Sequence, residues 1–166
     1  MKKLFLIGWL FYSSAAFAGA PSLKSVRILY QQAATEEKSC RMLLQLLSSY
    51  DENTNALLHG YKASATMMLA KYTFNPISKL SYFKKGKQML ENAIHADAAN
   101  IELRFLRFAI QTNIPFLLGY HGFIDSDKKL LLESLPSVKD AELKHMITVY
   151  FENCKYLTRD EKQQIE

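Results

Sequence analysis

The 166-residue chain has little cysteine, glycine or proline, and these shortages narrow its fold class. Two cysteines are too few for a disulfide-dense miniature scaffold. Six glycines and four prolines leave few places at which a helix must break, and the apolar residues recur every three or four positions. No segment alternates convincingly between apolar and polar residues as a strand does. The sequence therefore predicts an all-α protein.

The sequence also lacks the local motifs that mark common catalytic and cofactor sites. It has no Gly-x-Ser-x-Gly turn, no Cys-x-x-Cys pair, no phosphate-binding glycine loop and no dinucleotide fingerprint. The four histidines lie far apart and form no His-x-x-x-His pair, so no metal site is predicted. We therefore expect no cofactor and no enzymatic activity. A catalytic site assembled from residues distant in the sequence stays open as an alternative.

Basic residues are only slightly in excess. The chain has 21 Lys and Arg against 16 Asp and Glu, and leaving out Lys2 and Lys3 of the N-terminal segment reduces the net charge from +5 to +3. This excess is too small to indicate a nucleic-acid-binding protein. Lys84, Lys85 and Lys87 form the densest basic cluster. We interpret them as the solvated face of a helix, with a patch for an anionic surface as the alternative.

The first eighteen residues have the pattern of a bacterial export signal. Lys2-Lys3 provides the charged start, residues 4–12 a mostly apolar run, and Ala16-Phe17-Ala18 a small-x-small cleavage site. The apolar run is too short to span a bilayer. We therefore expect cleavage after Ala18 and a mature chain of residues 19–166 that forms one domain. The expected location is periplasmic or secreted, with no stable membrane insertion after cleavage.

Capping signals and apolar periodicity divide the mature chain into eight helices. Asn75-Pro76 pairs an N-cap residue with proline at the first helical position. Thr158 with Glu161, and Ser137 with Asp140, resemble capping boxes. Asp125 or Ser126 is expected to cap the sixth helix. The first five helices are predicted at about residues 22–35, 36–49, 55–72, 76–96 and 101–112.

The fifth predicted helix is apolar on most sides and is expected in the middle of the protein. Its polar residues fall at spacings of four, three and four, so they share one face: Asn100, Arg104, Arg107 and Gln111. Guanidinium groups on a buried helix need carboxylates or a ligand, because an unpaired buried charge is costly. In one interpretation they pair with internal acids such as Glu91, Asp97 or Glu102. In the other they line a groove that binds an anionic group or a partner's carboxylates.

An aromatic connection follows this helix at residues 113–123. It holds Phe116, Tyr120, His121 and Phe123 beside two glycines. Exposed loop aromatics are typical of recognition sites, which makes Tyr120 a candidate binding residue. The alternative is that the connection folds back and plugs the core.

Cys40 and Cys154 both lie on apolar helical faces of the predicted helices. Export would permit a disulfide between them. Two buried free thiols fit these positions equally well, since the geometry that a disulfide requires is narrow. Both interpretations stay open from the sequence.

The segment from Gly86 to Asn100 resembles the second helix and exit turn of a tetratricopeptide repeat. Gly86 and Ala93 stand at the repeat's small positions, and Leu90 stands at a larger apolar one. The resemblance implies a right-handed stack of antiparallel helical hairpins; an irregular helical bundle is the alternative. We expect a non-enzymatic interaction module of the cell envelope whose partner is an unidentified envelope protein or peptide. A small-molecule or lipid binder with a cavity between helices is the other expectation.

Overall fold

A computed structural model describes residues 20–165 of the chain. These residues contain helices, turns and connections but no strand, which confirms the all-α prediction. The predicted export signal, residues 1–18, and Gly19 lie outside the described residues. The helices are α1 (Leu23–Ala33), α2 (Glu37–Leu46), α3 (Ala56–Tyr72), α4 (Pro76–Ala96), α5 (Ile101–Gln111), α6 (Ile124–Ser134), α7 (Ala141–Asn153) and α8 (Arg159–Gln163), with two 3-10 turns at Phe116–Leu118 and Leu135–Ser137.

Two of the predicted helix starts are confirmed by their caps. The side chain of Asn75 accepts hydrogen bonds from the backbone N–H groups of Ile77 and Ser78, and Pro76 opens α4. Thr158 and Glu161 form the full capping box at the start of α8. Both caps satisfy backbone donors that would otherwise lack a partner in the first helical turn.

Two other predicted caps are wrong. Phe123 is the N-cap residue of α6 and gives no side-chain cap, so α6 begins before Asp125 and Ser126. Asp140 itself caps α7, accepting from the backbone N–H groups of Glu142 and Leu143. Ser137 belongs to the preceding 3-10 turn, because the chain continues to turn through Pro136 instead of starting a helix there.

Two apolar cores lie on opposite faces of α5. One core unites α1 to α4 with the α5 face that carries Leu103, Leu106 and Ile110. The other unites α6 and α7 with the α5 face that carries Phe105, Phe108 and Ala109. This confirms the prediction that the fifth helix lies in the middle of the protein.

The helices α3, α4 and α5 alternate in direction, and this alternation fixes which loops are neighbours. Leu103 of α5 packs against Gly60 of α3, and Tyr61 donates a hydrogen bond to Glu102, so α3 and α5 begin side by side. α4 runs antiparallel to α3, and its Gly86 lies against Ala63 of α3. The end of α3, the start of α4 and the end of α5 therefore lie at one end of the molecule.

The turn between α1 and α2 lies at the same end, because the Tyr72 hydroxyl donates to the backbone oxygen of Ala33 over 2.7 Å. We call this end, formed by residues 33–36, 73–77 and 112–119, the loop end. Across the part of the chain that the structure covers, no helix is both long and apolar enough to cross a bilayer.

Cys40 and Cys154 are free, buried thiols that belong to different cores. The thiol of Cys40 donates to the backbone oxygen of Ala65 at 3.3 Å, and burial raises its pKa to about 11. The structure therefore joins the two residues by no disulfide and matches the interpretation of two buried thiols.

Replacing Gly86 by Ala is expected to lower the free energy of unfolding by about 1–3 kcal/mol, as overpacking does. A Cβ atom at this position would lie 2.6 Å from the backbone oxygen of Ala63 and 2.9 Å from the backbone nitrogen of Met67, so α3 and α4 would have to move apart. Gly122→Ala is the matched control, because a Cβ atom there meets nothing within 4 Å. Urea denaturation followed by circular dichroism measures both variants, and equal stabilities would contradict the close approach of α3 and α4.

Candidate functional site

The polar residues of α5 lie along the two edges that separate its two core faces. A rotation of about 100° per residue places Arg104, Arg107 and Gln111 on one edge and Glu102 on the other. Each edge carries a network of ion pairs to other helices. The helix therefore has two polar edges, and the sequence predicted only the edge that carries Arg104, Arg107 and Gln111.

Arg107 is buried and fully engaged by two carboxylates. Its Nε and Nη2 atoms donate to Asp127 at 2.7 and 2.9 Å, and its Nη1 atom donates to Glu91 at 2.9 Å. Burial alone would lower the pKa of Arg107, but the hydrogen bonds and charges of Asp127 and Glu91 outweigh it and raise that pKa. The guanidinium thus stays charged, and its role is to join α4, α5 and α6.

Among the three internal acids that the sequence indicated as partners, only Glu91 contacts this edge. Asp97 accepts from the Asn100 side chain at 2.9 Å, and Glu102 lies on the opposite edge of α5. Asp127, which is fully buried, was not predicted. Its position between Ile124 and Leu131, on the buried face of α6, was the signal that could have found it, because an acid on an apolar face needs a buried cation.

Arg104 differs from Arg107 because its outer guanidinium edge is free. Its Nε atom lies 2.8 Å from Oδ1 of Asp127, but the N–H group is not aimed at that oxygen, so the contact is an ion pair without a hydrogen bond. Within the described residues the Arg104 side chain donates no hydrogen bond, and it is 23% exposed. Its remaining donors therefore face solvent.

Those donors face an open groove of about 780 Å³ between α4, α5 and the start of α6. Phe123 forms an apolar wall, and its ring lies over the Arg107 guanidinium at 3.9 Å from the ring centre. We call this feature the Arg104 groove. It is lined by Glu91, Asn92, Ile94, His95, Ala98, Arg104, Arg107, Phe123 and Ser126.

The other predicted binding residues lie away from this groove. Asn100 caps α5 by accepting from the backbone N–H groups of Glu102 and Leu103, and it lines a different depression near Pro21. Gln111 is fully buried, and neither atom of its amide group has a partner within the described residues. A buried amide without partners is costly unless water reaches it.

Tyr120 is buried and donates a hydrogen bond to Glu91 beneath the groove. Burial, and then the hydrogen bond to this carboxylate, raise the pKa of its hydroxyl well above the usual value. It orients Glu91 toward Arg107 and does not line the groove.

One part of the aromatic connection packs into the core and another part is exposed, so both interpretations from the sequence apply in part. Tyr120 packs edge-on against Phe83 of α4 at 6.2 Å between ring centres. It belongs to the core that α1 to α4 form with one face of α5. Phe116 and Leu117, in contrast, are almost fully exposed. The connection is thus a plug at one end and an exposed turn at the other.

A second network on the opposite edge of α5 was missed from the sequence. Arg27 of α1 donates to Glu102 through Nε and Nη2, both over 2.7 Å, and to Asp140 through Nη1 and Nη2 over 3.1 and 2.8 Å. The hydrogen bond from Arg27 is the main reason that the pKa of Asp140 is lowered. The position of Arg27 between Val26 and Tyr30 on the buried face of α1 was the available signal.

No cluster of three or more metal-ligating side chains occurs among residues 20–165. Histidine is dispersed there as in the sequence: His95 lines the Arg104 groove, and the buried His59 lies 3.3 Å from Glu52. No protein-family model, no curated protein and no solved structure matches this chain significantly.

Proposed function

We propose that the chain is an exported, non-enzymatic interaction module of the cell envelope that binds a carboxylate-bearing segment of a partner protein in the Arg104 groove. The observation that supports this proposal is the unequal pairing of the two arginines. Arg107 has its charge satisfied by Asp127 and Glu91, whereas Arg104 keeps donors free toward the groove. A guanidinium held in place by a neighbouring ion pair is preorganised to bind a carboxylate.

The shape and walls of the groove favour an extended peptide segment over a small ligand. The groove is open to solvent, and Phe123, 43% exposed, offers an aromatic surface beside the charge. Aromatic and arginine side chains together are typical of protein-binding surfaces. An enclosed apolar cavity would instead favour the alternative of a small-molecule or lipid binder.

The tetratricopeptide-like arrangement belongs to this proposal. It is supported by the close approach of Gly86 to α3 and by the antiparallel pairing of α3 with α4. Stacks of helical hairpins present grooves in which partner peptides bind. The export signal, whose cleavage after Ala18 we expect, supports an envelope partner.

The experiment uses a fluorescein-labelled peptide of alternating Glu and Gly as the probe, with fluorescence anisotropy as the readout. Arg104→Gln is expected to weaken binding by about tenfold or more, because it removes a charge-assisted hydrogen bond. Arg41→Gln is the matched control, since it removes the same charge from an exposed arginine on α2 that pairs only with Glu37 four residues away. Equal affinities for wild type and Arg104→Gln, at equal melting temperatures, would reject the groove as the binding site.

A further inference from the structure

The most exposed apolar side chains of the described residues are concentrated at the loop end. Four large apolar side chains there are at least 81% exposed, whereas no other in the described range exceeds 47%. They are Phe74 (99%), Ile77 (81%), Phe116 (84%) and Leu117 (86%). Leu80, one helical turn after Ile77, adds to the same face of α4. Exposed apolar groups in one place mark an interaction surface.

The two segments that carry these side chains are both anchored at the same end of the molecule. The ring of Phe116 stacks on His121 at 5.1 Å, and the adjacent Tyr120 contacts Phe83 on the first half of α4. Phe83 follows Ile77 by six residues, or about 9 Å along the helix axis. The loop end therefore carries exposed apolar side chains on two turns.

Positive charge lies on the α3–α4 side of the loop end. Residues 71–90 contain five lysines and no acid, and residues 112–124 contain no Asp, Glu, Lys or Arg. The nearby start of α2 adds no net charge, because Glu36 and Glu37 are balanced by Lys38 and Arg41. The five lysines are Lys71, Lys79, Lys84, Lys85 and Lys87.

We propose that the loop end docks on the surface of an anionic lipid bilayer. The exposed apolar side chains enter the boundary between headgroups and acyl chains, and the lysines contact the anionic headgroups. Both contributions are those by which proteins without a spanning helix bind membrane surfaces.

The same features disfavour a second copy of this chain as the occupant. A two-fold symmetric dimer would bring ten lysines, five from each copy, to one interface without acids from residues 71–90 or 112–124 to pair with them, and like charges brought together repel. The apolar side chains also project from turns, so a rigid protein partner would need a matching pocket for each, whereas a bilayer needs none.

The loop end and the Arg104 groove are separate features of the molecule. The groove contacts α4 from Glu91 onward, fourteen residues and thus about 21 Å beyond Ile77, and four residues or about 6 Å beyond Lys87 along the helix. This inference goes beyond the proposed function and does not depend on it.

The test is co-sedimentation of the purified protein with vesicles, at low salt. Vesicles of equal parts phosphatidylglycerol and phosphatidylcholine are expected to bind the protein, and pure phosphatidylcholine vesicles are expected to bind it far less. Phe116→Ser with Leu117→Ser should reduce binding about tenfold or more, through the loss of apolar burial. Lys84→Gln with Lys85→Gln should reduce it about fivefold per lysine, and added salt should have the same effect as this change.

The matched controls replace similar residues away from the loop end. All variants carry the same N-terminal segment as the wild-type protein. Leu23→Ser with Leu46→Ser removes two partly exposed apolar side chains, and Lys139→Gln with Lys144→Gln removes two exposed lysines near the opposite end. These controls, and Arg104→Gln, should bind vesicles as wild type does. The proposal is overturned if loop-end variants bind as wild type, if both vesicle types bind equally, or if the Phe116 and Leu117 changes only convert a dimer to a monomer in sedimentation velocity without vesicle binding.

Discussion

Replacing Arg107 by Gln is expected to lower the free energy of unfolding by about 3–5 kcal/mol. The change leaves the fully buried carboxylate of Asp127 without its two aligned hydrogen bonds. The nearby Arg104 does not supply such bonds in the wild-type structure, because its Nε–H group is not aimed at that carboxylate. Such a loss is a large part of the roughly 5–15 kcal/mol that stabilises a domain. Urea denaturation followed by circular dichroism measures it.

Arg104→Gln is the control for this prediction and should cost far less, since Arg104 is partly exposed and makes no hydrogen bond there. Adding Asp127→Asn to Arg107→Gln should recover part of the lost stability, because it removes the stranded charge. A single Arg107→Gln variant as stable as wild type would show that the buried network does not stabilise the fold.

Replacing Arg27 by Gln is expected to cost a similar amount, about 3–5 kcal/mol, and to loosen the contact between α1 and α7. Glu102 is buried and receives two 2.7 Å hydrogen bonds from this guanidinium. Without Arg27 the carboxylate of Glu102 keeps, among residues 20–165, only Tyr61 as a side-chain donor. Denaturant unfolding gives the stability, and hydrogen exchange of α1 amides gives the loosening.

Lys24→Gln is the matched control, one turn earlier on α1, because Lys24 forms only an exposed pair with Glu142 and should contribute little. The pH dependence supplies a second check. Arg27 lowers the pKa of Asp140 in the folded state, so this stabilisation is complete above the unfolded value of about 3.9 and is lost as the pH falls through the lower folded value. Arg27→Gln should lose less stability over that acidic range, and an unchanged acid profile would argue against the pairing.

The sequence predicted the helices well wherever a local signal decided them. Asn75-Pro76 and the box of Thr158 with Glu161 needed only their own side chains and backbone, and both are confirmed. Asp125 was wrongly expected as a cap because α6 starts after an aromatic residue that offers none. Cap prediction failed where the preceding chain, and not the residue itself, set the start of the helix.

The candidate site was predicted only in part, because its partners come from distant segments. The polar edge of α5 followed from spacing alone, but which acids meet it depends on how α4 and α6 pack. Arg104 and Arg107 therefore looked equivalent in the sequence, although only Arg107 is satisfied internally. The exposure of Phe116 beside the buried Tyr120 was equally inaccessible, since both lie in one aromatic turn.

The ion pairs on the two edges of α5 differ in sequence separation, and this difference bears on the order in which they form during folding. Arg107 bonds to residues only 16 and 20 positions away, so its network closes as soon as α4, α5 and α6 meet. Arg27 bonds to residues 75 and 113 positions away. Loop closure of that length is slow. We expect the ion pairs of Arg27 to form after those of Arg107.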